Sequence, residues 1–117
     1  MIAKIKLNGK IVEIQDIEKA EGIKKFLGLM FKPQNTNALL FQFSKPVKTA
    51  IHSLFCPKFL AIWLDDKNKI VEYAIVNKAK MSIKPSSSFT KLLEIPLNNK
   101  YSRIFKNFQI TLGKEKI

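Results

Sequence analysis

The chain has 117 residues, 46% of them hydrophobic, a formal net charge of +12 and a single cysteine. That length suits one domain, residues 1–117, with one core, and the hydrophobic content fits an ordered globule rather than a disordered chain. One cysteine excludes an internal disulfide framework, no apolar run approaches the ~20 residues of a membrane-spanning helix, and lysines interrupt the apolar residues of Met1 to Lys10, where a signal peptide would need an unbroken core. A cytoplasmic location without a membrane span is expected.

Met1, Ala3, Ile5 and Leu7 alternate with Ile2, Lys4 and Lys6, the period-two pattern of a half-buried strand. Asn8-Gly9 is the strongest short hairpin signal, since a type I′ turn needs positive φ at both positions. Val12 and Ile14 continue inward on the return strand. Asp16 is placed to cap a helix over about 17–29, with Glu18 and Glu21 near its start, Lys24 and Lys25 near its end, and Ile17, Ala20, Ile23, Leu27 and Met30 as its apolar stripe. A polar loop around Pro33 then leads to a strand over 38–43, with Leu39, Phe41 and Phe43 on one face.

Phe59 to Leu64 is an uninterrupted apolar run between Pro57 and the polar cluster 65–69, which predicts a strand buried on both faces. Aspartate and asparagine favour a tight reversal there, and the β-branched run Ile70 to Val76 completes a hairpin. Further strands are predicted over 78–84, with Met81 and Ile83 inward, over 89–95, stopped by Pro96, and over 108–112, after a short late helix at about 97–105. The fold class is mainly β, a small antiparallel domain of sandwich, jelly-roll or barrel type.

His52-Ser53-Leu54-Phe55, the strand from Pro57 to Leu64-Asp65, and Ile70-Val71 together resemble the domain-of-unknown-function family 192. Ala20 to Met30 (AEGIKKFLGLM) is similar to that family's early basic-x-x-Gly-Leu-Met helix end, with Lys24 and Lys25 where the family often has arginine. Ala38 to Phe43 and Leu92-Leu93-Glu94-Ile95-Pro96 are similar to its neighbouring strands, so the resemblance spans roughly residues 18 to 112. It implies a small β domain of sandwich or jelly-roll type, and no activity.

Charge is the functional clue that composition offers. All but one of the 21 basic residues are lysine, Arg103 being the exception. Such a field draws nucleic acid and other anionic partners without sequence readout. Lysine is a point charge, however, and the lysines are spread along the chain, so compositional background is the plainer explanation. Phe41, Phe43, Trp63, Tyr73 and Phe105 sit in apolar runs and are expected to build core. Tyr101 and Phe108, among Lys100, Arg103 and Lys106, are the aromatic pair expected to be exposed, and Lys100, Tyr101, Arg103 and Lys106 are therefore the candidate anion-binding set.

Catalytic candidates are few. His52 and Cys56, four residues apart, form a thiol–imidazole pattern, but Cys56 beside Pro57 reads more simply as a small buried apolar residue. Glu94, flanked by Leu93 and Ile95, would have a raised pKa if buried, although a solvated outer face is the plainer expectation. Asp65 and Asp66 are turn formers before they are cation ligands. Gly9, Gly22, Gly28 and Gly113 are scattered, without the spacing of a phosphate loop, and no cofactor or metal is expected. The sequence points first to a non-catalytic binding module for an anionic partner, then to a nucleic-acid-binding protein, and last to a small enzyme around His52 and Cys56.

Overall fold

A computed structural model describes residues 1–21 and 24–110. β1 (Ala3–Leu7) and β2 (Lys10–Ile14) form the first hairpin, followed by β3 (Ile17–Lys19), α1 (Lys24–Leu27), β4 (Ala38–Val47), β5 (Phe59–Leu64), β6 (Ile70–Val76) and β7 (Phe89–Pro96). A 3-10 turn, Asn99–Tyr101, then runs into α2 (Ser102–Asn107). The hairpin stands as its own two-stranded sheet, and the remaining strands form a five-stranded sheet in the order β3-β4-β7-β5-β6. β3 and β4 are parallel and the other pairs antiparallel.

The molecule is mainly β, and the five-stranded sheet is open, with β3 and β6 at its ends, so the barrel alternative is not realised. β5 is buried at every position, as its uninterrupted apolar run requires, because both of its faces are covered. One face packs against the β1–β2 hairpin and α2: Ile5, Val12 and Ile14 meet Leu40, Ile62, Leu93 and Phe105. On the other face, Leu29 and Cys56 from the connecting segments cover Phe41, Trp63, Phe89 and Leu92. At the tip of the first hairpin, Asn8 and Gly9 adopt φ of 50° and 77°, the positive pair that a type I′ turn needs.

Four local expectations are corrected. Ile17 to Lys19 is a strand rather than the start of a helix: Ile17 exchanges hydrogen bonds with Met1 while Ala20 N–H donates to the Leu40 carbonyl at 2.8 Å. With both sides of its backbone paired, this segment has no groups left for a helix, and tertiary pairing overrides propensity. Asp16, at φ 56°, turns the chain instead of capping it. Residues 22 and 23, including the stripe position Ile23, lie outside the described residues.

The segment 78–84 is a loop held by one bridge, Ile51 to Ile83. Ser53 binds it through Lys80, and Met81 points outward at 75% exposure. Tyr101 and Phe108 are buried rather than exposed, because α2 lays that face on the sheet. Phe108 closes α2, and Gln109 and Ile110 follow as turn and irregular chain, so the strand expected over 108–112 does not start there; residues 111 and 112, like the charged tail, lie outside the described residues.

Candidate functional site

β7 is central in the sheet, so its side chains alternate between two covered faces. Leu93 and Ile95 enter the core beneath the hairpin, while Leu92 points to the opposite face and Glu94 follows it. Glu94 stands opposite Leu39 of β4 and Ala61 of β5 and is only 4% exposed. A carboxyl expected on a solvated face is thus interior, because the segment around Leu29 lies over it.

That covering segment depends on Gly28. Its φ of +53° is left-handed, and a Cβ at this position would stand 3.0 Å from Glu94 Oε1. Glycine therefore lets the backbone both turn and approach the carboxyl. Between this segment, β4, β7 and the β4–β5 connection lies a cavity of about 390 Å³, lined by Lys25, Phe41, Phe43, His52 and Leu92, among others, with Glu94 at its wall. The volume falls at the small end of the range typical of small-molecule sites, roughly 300–1,000 Å³.

Burial pushes the Glu94 carboxyl up to about 8, and the Leu29 backbone N–H, directed at it, pulls in the opposite direction. Among the described side chains no cation forms an ion pair with it. At neutral pH the group is mostly a carboxylic acid, able to donate a hydrogen bond within apolar walls. Lys25 marks the mouth: it is exposed, with Nζ 5.6 Å from the centre of the Phe43 ring. His52 is half-buried, and its Nδ1 accepts from the Leu54 N–H at 3.2 Å.

The structure brings His52 and Glu94 to one cavity and leaves Cys56 out of its lining. Cys56 is buried, with Sγ 3.5 Å from the Leu54 carbonyl oxygen, and its thiol is pushed up to about 11, first by burial and then by the charge of Glu94. A thiolate is disfavoured there. Asp65 acts in its turn: Oδ1 accepts from the Lys67 and Lys69 amides. No group of three or more metal-ligating side chains occurs among the described residues.

The C-terminal basic set separates. Lys100, Arg103 and Lys106 are exposed, and Lys100 Nζ donates to Asn37 Oδ1 at 2.6 Å. Tyr101 turns inward, where its hydroxyl accepts from the Ala38 N–H and donates to the Asp16 carbonyl, each at 2.6 Å. It is a structural cross-link and offers no ring to a ligand.

One surface feature has no signal in the sequence. Phe31 and Phe55, 73% and 70% exposed, stack with centroids 5.2 Å apart. Both are left-handed, at φ 63° and 57°, and the Phe31 N–H donates to the Phe55 carbonyl. The cleft beside them is lined by Lys32, Gln34 and Lys78. Phe31 and Phe55 are 24 residues apart, and only the folded chain makes them neighbours.

No protein-family model matches the chain, and no curated protein matches it. Two solved structures are similar. A candidate transcription regulator from Sinorhizobium meliloti superposes with a TM-score of 0.69 at 16% identity, covering 89% of this chain and 84% of its own. A protein of unknown function from Novosphingobium aromaticivorans superposes at 0.66 and 14% identity, covering 89% of this chain and 76% of its own. The likeness is one of fold.

Proposed function

We propose that the chain is a non-catalytic binding module whose site is the cavity over Glu94. The observation that carries this is the carboxyl itself, interior, unpaired by any described cation and set in the wall of an apolar cavity. Burying an ionisable group costs free energy unless something compensates it, and such groups concentrate where proteins meet ligands. An enzyme centred on His52 and Cys56 gains no such support, because the thiol is buried and protonated. The resemblance to family 192 belongs to the same proposal and adds no activity to it.

Amide NMR of the labelled protein, titrated with small aromatic and aliphatic acids, alcohols and amines, tests the site. Saturable shifts are expected at Gly28, Leu29, Phe41 and Leu92 to Glu94. Their absence across the set removes the proposal.

A second role, binding single-stranded nucleic acid through the lysine-rich surface, is favoured by the Phe31–Phe55 pair, since an exposed ring beside lysines is a stacking platform for any base. Fluorescence anisotropy with RNA and DNA oligonucleotides at about 50 and about 200 mM salt separates stacking from bulk charge. Binding that survives the higher salt and is lost in the Phe31→Ala, Phe55→Ala double variant supports it. Binding that ignores the double variant refutes it.

A further inference from the structure

The cavity has a polarity that narrows its ligand. Along β4, β5 and β7, the side chains facing Glu94 are apolar: Leu39, Phe41, Ala61 and Leu92. Besides Glu94, the titratable side chains lining the cavity among the described residues are Lys25 on α1 and His52 in the β4–β5 connection, with the Cys56 thiol buried outside the lining. Glu94 is the one carboxyl among the described lining residues. A ligand therefore meets a hydroxyl donor inside and a cation at the mouth, on a chain whose net charge of +12 attracts anions.

We infer that the cavity takes a small monocarboxylate with an apolar body, whose carboxylate accepts a hydrogen bond from the protonated Glu94 while its body lies against Phe41, Phe43 and Leu92. This rests on the cavity being the binding site. Glu94 and the ligand then share one proton between two carboxyl groups, and Leu29 N–H remains directed at the Glu94 side chain. An amine would need Glu94 ionised in an apolar wall and would pass Lys25 on entry. A neutral alcohol fits the walls, but it does not gain the charge-assisted bond, which is the stronger kind.

Binding is pH-dependent in a defined direction. Where Glu94 ionises, it loses its donor and repels the ligand, so affinity falls as pH rises through about 8. Cys56, pushed up to about 11, is a thiol throughout most of this range. A Glu94→Gln variant isolates the contribution of Glu94, because its amide donates but does not titrate.

The test is calorimetric titration of the full chain with phenylpropionate, phenylpropanol and phenylpropylamine, three probes with one body and different heads. Phenylpropionate is expected to bind most tightly at about pH 6.5 and to weaken about thirtyfold by about pH 9.5, the fall in protonated fraction of a group titrating near 8. Glu94→Gln is expected to retain binding and flatten that profile, and Glu94→Leu to lose preference for the acid, with circular dichroism confirming both folds. Tighter binding of the amine or the alcohol overturns the inference while leaving the cavity as a site, as does an acid affinity that ignores pH in the unaltered protein. Failure of all three probes removes the site as well.

Discussion

Glu94 should make this protein lose stability as pH rises, and Glu94→Gln should abolish that loss. The carboxyl's ordinary value is 4.5 and its folded value about 8, so the folded state retains a proton that the unfolded chain has released. The contribution is fully present below 4.5 and is lost as pH climbs through about 8. At about 1.4 kcal/mol per unit, that interval is worth about 5 kcal/mol. A domain of this size has a total stability of about 5–15 kcal/mol, so the effect is large. Urea unfolding of both proteins between about pH 4.5 and about pH 9, at unchanged m, measures it. The stability of Glu94→Gln relative to the unaltered chain should rise by roughly 3–5 kcal/mol over that range, because titrations common to both proteins cancel in the difference. Two curves that stay parallel would refute an interior, protonated Glu94.

Gly28→Ala forces a side chain into φ +53° and sets its Cβ 3.0 Å from Glu94 Oε1, so a loss of about 1–2 kcal/mol and a lower Tm are expected. Tyr101→Phe leaves the buried Ala38 N–H and the Asp16 carbonyl without their shared hydroxyl, which should cost about 1–3 kcal/mol in urea unfolding; an unchanged midpoint contradicts the cross-link. Cys56 should resist iodoacetamide in the native protein at neutral pH and react once unfolded, as followed by mass spectrometry, since its buried thiol is pushed up to about 11. Rapid native labelling would restore it as a nucleophile candidate.

Much of the architecture was legible because it is local. Asn8-Gly9 specifies its turn through two positive φ values, and the β5–β6 reversal is set by Asn68, at φ 63°, and by Asp65, which accepts amides two and four residues on. The apolar run of β5 announces burial on both faces, and Leu39, Phe41 and Phe43 share a face by strand periodicity alone. The candidate site was only half legible. Glu94 stood out for its apolar neighbours, but nothing near it in sequence says that Gly28 and Leu29 will cover it.

The sequence alone therefore determined six strands (β1, β2, β4, β5, β6 and β7), the two hairpins and the unusual carboxylate, because turn chemistry and side-chain alternation act over a few residues. Tertiary structure decided the rest: that Ile17 to Lys19 pairs with β4 instead of coiling, that Tyr101 points inward to bind Ala38 and Asp16, and that Glu94 is interior beside a cavity. Each of these depends on partners distant along the chain. Only closure of the fold sets the hydrogen bonds and desolvation that fix a group's conformation and its affinity for a proton.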